Sequence, residues 1–289
     1  MIRDFFIVNL QTKERFHKSY SKEPTPESIV KSFLLKYTKE FEIDEDGLNP
    51  VKIIAAKQYL FTFLVTADFL FIIVSDLHDS KKDMEMLLSQ TTQAISAFNL
   101  HETVNPSERN ELEATITRNL FSQIKIALIG KDNVGKSMIF NKLEGEISYP
   151  HSKRVMRSKH ILHESLNPKV YLLDYIGTEE YSPQWPNLLR GIHIILIVVD
   201  STVENVLSTK RLFINLVKKA KPDALIMGIA NKQDQPKALD ALLIQKMLDL
   251  DEVFPLSMFR LNDIKSLENI FTHAIQKYLT QFLVKTTAS

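Results

Sequence analysis

The stretch GKDNVGKS, residues 130–137, constrains the fold more than any other part of this 289-residue chain. Glycine is scarce, 7 residues in all, yet two of them stand five positions apart here, just before a Lys-Ser pair. Upstream, residues 122–130 read as a buried strand, near-continuously apolar at its end, as a central parallel strand is. Downstream, residues 137–145 carry Ile139, Phe140 and Leu143 at helical spacing. A strand, a glycine loop and a helix in that order turn backbone N–H groups and a helix N-terminus toward an anion. The reading is a phosphate loop, with Gly130, Asp132, Asn133, Val134, Gly135, Lys136, Ser137 and Met138 as candidate contacts. Lys136 would reach the β and γ phosphates, and the Ser137 hydroxyl would ligate magnesium.

A phosphate loop says only nucleoside triphosphate, and the base is read further on. Residues 224–234, ALIMGIANKQD, form another buried-strand pattern ending in Asn231, Lys232, Gln233 and Asp234. In an Asn-Lys-x-Asp pattern the Asp carboxylate accepts hydrogen bonds from guanine N1–H and its 2-amino group. Adenine offers neither donor and would leave the carboxylate unpaired. The Lys stem packs on the ring, and Asn ties this loop to the phosphate loop. Between the two motifs, VYLLDYIG (residues 170–177) is a strand ending in Asp174, with Gly177 three residues on. Asp174 would hold magnesium through a water, and Gly177 would turn its N–H toward the γ-phosphate. The segment after it contains Pro183 and Pro186 and cannot be one regular helix, which suits a mobile switch.

Residues 121 to about 283 resemble a Ras-superfamily small GTPase of the Arf-like kind. Asp132 inside the loop, Gln233 in ANKQDQP, and Trp185 after Pro183 carry that resemblance. It implies a doubly wound α/β domain over residues 121–285, GTP/GDP and Mg2+ as ligands, and effectors and regulators as partners. It also puts Ser257 and Met258 where a backbone N–H meets guanine O6, although alanine is usual at the position of Met258. Two departures bear on hydrolysis. The family's water-orienting Gln falls on Thr178, followed by Glu179, and a threonine side chain is too short to bridge water and phosphate in the same way. The first-switch Thr that completes the magnesium shell has no counterpart, since residues 138–177 contain no threonine; Ser152 is the nearest substitute and Ser158 the next. The expectation is a GTP/GDP switch with slow hydrolysis, Lys136, Thr178 and Glu179 being the catalytic candidates. The alternatives are a constitutive GTP-binding scaffold and an adaptor without nucleotide. The basic stretch HSKRVMRSKH (residues 151–160), with Lys153, Arg154, Arg157 and Lys159, reads as an arginine finger in cis, an anionic contact surface, or a solvated loop.

The first 115 residues read as a separate, smaller α+β module. Strand patterns at residues 4–10 and 13–20 precede a helix at 25–41, with Thr25 as its cap and Pro26 at its first position. Three strand patterns follow at 51–57, 60–66 and 69–76, joined too tightly for crossovers and so antiparallel. A helix at 80–98, capped by Ser80, buries Met84, Leu87, Leu88, Thr91, Ile95 and Phe98, and a second helix spans 108–120. The order resembles a longin domain, with the roadblock fold as competitor, and implies a protein-binding platform. His17, His78 and His101 lack metal-ligand spacing.

Composition narrows the setting. With no cysteine there is no disulfide, thiolate site or thioester anchor. Ile2 stands where myristoylation needs glycine, and the most apolar stretch, residues 59–74, is too short to span a bilayer. A cytoplasmic protein is expected, reaching membranes only peripherally through partners or charge. Residues 1–120 carry a net charge of −4 and residues 121–289 one of +5, too mild for a nucleic-acid partner.

Overall fold

The computed structural model describes residues 2–37, 50–77, 79–100, 106–148, 155–161, 168–175, 189, 191–258 and 263–283, the side chains at 147, 148, 155–157, 263, 282 and 283 excepted. The chain divides into two compact units, with the change between Phe121 and Ser122.

The first unit is built on a five-stranded antiparallel sheet in the order β2-β1-β5-β4-β3. Its strands are β1 (Ile2–Asn9), β2 (Arg15–Ser19), β3 (Lys52–Ala56), β4 (Tyr59–Val65) and β5 (Phe69–Asp76). Helix α1 (Glu27–Tyr37) covers one face, where Val30, Phe33 and Leu34 pack with Phe6, Phe61, Phe63 and Ile72. Helix α2 (Lys81–Ile95) packs on β4 and β5, and α3 (Pro106–Leu120) packs on α2. Both side-chain sets of β5 are therefore buried, which is why FLFIIV is apolar throughout although the sheet is antiparallel. The predicted antiparallel order holds, and Ser80 caps α2 by accepting from Asp83 N.

Thr25 does not cap α1. Its Oγ1 is buried and has no hydrogen-bond partner, and the Pro26 carbonyl takes the first helical N–H groups, those of Ile29 and Val30. Thr25 instead donates its backbone N–H to Asp4 Oδ2 at 2.8 Å. Asp4, fully buried on β1, also accepts from His17 Nε2 at 2.8 Å, and the His17 ring stacks on Phe6 at 4.3 Å. Burial opposes ionisation of Asp4, but the hydrogen bonds from His17 and Thr25 outweigh it and hold the carboxyl below its ordinary value.

The second unit contains a seven-stranded sheet in the order β12-β11-β10-β6-β9-β8-β7. β6 (Gln123–Ile129), β9 (Lys169–Tyr175), β10 (Ile194–Val199), β11 (Leu225–Ala230) and β12 (Val253–Pro255) are parallel. β7 (Gly145–Ser148) and β8 (Val155–Ile161) extend it antiparallel. The six residues of β10 are all buried, as a strand covered on both faces requires. The helices are α4 (Lys136–Lys142), α5 (Val203–Thr209), α6 (Asn215–Ala220), α7 (Ala241–Leu248) and α8 (Asp263–Leu283). The helical stretch after β10 is interrupted: a π-helical turn, Lys210–Ile214, separates α5 from α6. Asp240 caps α7 by accepting from Leu242 N. Leu267, Ile270, Ala274, Ile275 and Tyr278 of α8 are buried. The side chain of Phe282 lies outside the described residues.

Asp4 ties β1, β2 and the entry to α1 together, so Asp4→Asn is expected to destabilise the protein by about 2 kcal/mol at neutral pH, read by chemical denaturation. Because the folded-state pKa is depressed, the carboxylate's contribution is complete above the unfolded value and fades as pH falls through the folded one. The two proteins should therefore converge in acid. A constant gap down to the acid transition would contradict this.

Candidate functional site

Parallel strands send their C-terminal ends to one edge, and a crevice forms where neighbouring connections diverge. Here β6 lies between β9 on one side and β10 on the other, so the divergence falls at the end of β6, where the glycine loop begins. The same edge receives the ends of β9, β10, β11 and β12, bringing Asp174, Asp200, Asn231 and Leu256 around that loop.

The loop is wound tightly enough to exclude side chains at both glycines. A Cβ on Gly130 would lie 2.2 Å from the Val198 carbonyl oxygen. Gly135 has φ +105°, and a Cβ there would lie 2.1 Å from Asn231 Nδ2. Asn133 also takes a positive φ, 63°, and Val134 is fully buried beneath the loop. Lys136 is buried, with Nζ donating to the carbonyls of Gly130 at 2.7 Å and Lys131 at 2.6 Å. Burial lowers the pKa of this ammonium, while the carboxylates of Asp174 and Asp132 act in the opposite sense. Asp132, Ser137 and Met138 are exposed at the loop surface. Ser137 Oγ stands 3.4 Å from Asp174 Oδ2, which brings the two predicted metal-holding oxygens together.

The loop after β11 is joined to the glycine loop by one bond: Asn231 Nδ2 donates to the Val134 carbonyl at 2.8 Å. Lys232 has φ 61°, and its ammonium lies 4.0 Å from Asp200. Ser257 Oγ donates to Asp234 Oδ1 at 2.6 Å, so the hydroxyl after β12 orients that carboxylate, and Met258 is buried next to it. Gln233 turns away from the surface, donating to Ser201 Oγ at 2.7 Å and to the Leu239 carbonyl at 2.9 Å.

Two residues that sequence reasoning missed hold this arrangement. Ser201 is fully buried with φ 65°, and its hydroxyl donates to the Asn231 carbonyl at 2.6 Å while accepting from Gln233. A serine after a strand gives no local signal for such a role. Lys159, expected within a solvated or lipid-facing basic stretch, is buried on β8. It donates to the carbonyls of Phe140 at 2.6 Å and Leu143 at 2.7 Å, at the C-terminal end of α4, where a cation meets the negative end of the helix dipole. Residues 155–161, which overlap that basic stretch, are a strand paired with β7 and β9 and not a loop. Gly177, Thr178, Glu179 and Ser152 lie outside the described residues. Among the described residues no cluster of His, Asp and Glu gathers in the manner of a metal site built from those side chains alone.

A family model described as the ADP-ribosylation factor family, Arf, matches residues 113–279. The chain belongs to the Arf family. It is similar to ADP-ribosylation factor-like protein 1 of Saccharomyces cerevisiae, 31% identical over 134 residues, covering 45% of this chain and 72% of the relative. It is also similar to Ras-related protein Rab-5B of Plasmodium falciparum, 27% identical over 173 residues, 57% of this chain and 80% of the relative. GTPase Era of Histophilus somni matches at 28% over 174 residues, 54% of this chain and 57% of the relative. The Arf match makes this chain a small GTPase of the GTP-binding, Arf-like kind, and residues before 113 lie outside it.

The contact between Gly135 and Asn231 predicts a coupled pair. Gly135→Ala should cost about 3 kcal/mol in denaturation. In an Asn231→Ala background, where the clashing amide is gone, the same change should cost about 1 kcal/mol less. Equal costs in both backgrounds would sink the argument.

Proposed function

We propose that this Arf-family chain is a guanine-nucleotide switch that hydrolyses GTP slowly and with magnesium. The observation that carries the reading is the bond from Asn231 to the Val134 carbonyl. It makes the loop suited to phosphate and the loop suited to the base into one connected body, as a ligand gripped at both ends needs.

The residues fit the ligands. The turn at Gly130 and Gly135 leaves backbone N–H groups for phosphate oxygens, and Lys136 would hold the β and γ phosphates. Asp234, oriented by Ser257, would accept from guanine N1–H and the 2-amino group, with the Lys232 stem along the ring and the backbone at Ser257 and Met258 near O6. Ser137 directly and Asp174 through a water would hold Mg2+, with Ser152 the candidate for the remaining first-switch position. The cation, when bound, neutralises charge between the β and γ oxygens. Gly177 would sense the γ-phosphate through its N–H. Thr178 cannot reach a water as Gln does, so Glu179 or a partner would position it. That same Thr178 favours a second reading, a constitutive GTP-binding scaffold with little hydrolysis.

The first unit, with its order of two strands, a helix, three strands and two helices, is read as a longin-like platform for effectors and regulators. No helix among the described residues is long and apolar enough to cross a membrane.

Calorimetry should show GDP preferred over ADP by about 100-fold or more, and Asp234→Asn should remove most of that preference. An unchanged preference would overturn the base assignment. Single-turnover hydrolysis without a partner should run about 10-fold or more below that of a Gln-bearing relative, and Thr178→Gln should raise it; equal rates would refute slow hydrolysis.

A further inference from the structure

In the second unit, α5 and α7 lie side by side and run the same way. Near their beginnings, Leu239 N donates to the Ser201 carbonyl at 2.8 Å. Beyond their ends, Lys218 Nζ donates to the Asp249 carbonyl at 2.6 Å and to its carboxylate at 2.8 Å. The inner stripes of these helices, including Val206, Ala241, Ile244 and Leu248, are in the core. Their outer sides carry Val203, Leu207, Leu242 and Leu243, which are 50%, 54%, 68% and 46% exposed. Four exposed aliphatics, two on each, thus stand on two helices in contact with one another.

Charge on this face is ordered. Each helix begins with an exposed acid, Glu204 on α5 and Asp240 at the cap of α7. Six residues beyond each acid stands an exposed base, Lys210, which with Arg211 opens the π turn that follows α5, and Lys246 on α7. Six residues of helix span about 9 Å, so on each helix an acid and a base bracket central aliphatics, Leu207 on α5 and Leu242 with Leu243 on α7, while Val203 precedes Glu204 at the acidic end. Asp249 is held by Lys218 and also feels the charge of Lys210, while neither Arg211 nor Lys246 is in an ion pair among the described residues.

A strip that is acidic at one end, apolar in the middle and basic at the other is complementary to itself turned end for end. A twofold axis through Leu207 and Leu243 lays aliphatic on aliphatic and sets the acids of one copy against the bases of the other. We propose that this face is the interface of a homodimer, closed by α5 and α7 of two copies packed antiparallel. An anionic bilayer fits less well, since Glu204 and Asp240 would face like charge beside the apolar patch. The strip is short, four aliphatics and their flanking charges, below the size of a standard interface, so the dimer is weak.

Sedimentation velocity on the full chain from about 5 to about 500 μM is the test. The expected result is a monomer–dimer equilibrium that weakens as salt rises. Leu242→Glu should raise the dissociation constant by about 10-fold or more. Glu204→Lys, and the pair Lys210→Glu with Arg211→Glu, should each do the same, because like charges then meet at both ends of the strip. Mixing these two charge variants should restore association, since every acid again faces a base in the mixed dimer. All the altered side chains are exposed, so unchanged melting temperatures will show that the variants are folded. A monomer at all concentrations, a dimer indifferent to Leu242→Glu, or a mixture no tighter than either variant alone overturns the proposal. Co-sedimentation with phosphatidylserine vesicles by a chain that stays monomeric would do so in favour of the bilayer.

Discussion

The hydrogen bond from Asn231 to the Val134 carbonyl is the contact on which the candidate site depends. It joins loops nearly a hundred residues apart, and it is made where the side chain at position 135 has to be absent. Gly135 is required by its backbone angle and by the amide that occupies the space a Cβ would fill. Ser201 holds the Asn231 carbonyl, Gln233 holds Ser201 and the Leu239 carbonyl, and Ser257 orients Asp234. These bonds fix the distance between the two halves of the site, although Asn231 Oδ1 is buried without a hydrogen-bond partner.

The position of Lys159 shows how the antiparallel extension of the sheet is secured. An ammonium buried on β8 is costly without partners, and the last carbonyls of a short helix are groups that lack intrahelical donors. Lys159 satisfies both needs at once, bonding Phe140 and Leu143 and lying 4.8 Å from the Phe140 ring. It thereby links β8 to α4, the helix that the glycine loop enters. Whatever displaces the β7–β8 hairpin must either carry α4 along or strand a charge in the core.

The units solve the same packing problem by different means. In the second, parallel strands need helical crossovers, and these leave β10 covered on both faces. In the first, tight connections keep the strands antiparallel, yet α1 and α2 on opposite faces bury both side-chain sets of β5. Alternation is therefore lost in each, and apolar runs alone do not distinguish the two kinds of sheet. The length of the connection does.

Most element types and their order, the β7 and β8 strands excepted, and the set of candidate site residues were legible from sequence because each rests on local spacing. Gly-x4-Gly-Lys-Ser followed by helical periodicity, Asn-Lys-Gln-Asp after an apolar strand, and strand patterns separated by two or three residues need no knowledge of distant partners. The cap of α1, the π turn between α5 and α6, the burial of Lys159 and the bracing by Ser201 were not legible, because each depends on what another part of the chain brings to it. Thr25 is a good capping residue by type, but Asp4 claims its backbone and Pro26 supplies the helix entry. A lysine in a basic stretch reads as solvated until two helix carbonyls are placed within reach of its ammonium. Local spacing singled out the candidate groups for a phosphate, a base and a cation; how those groups are held came from the folded chain, since burial and hydrogen bonding belong to pairs of residues that the chain order keeps apart.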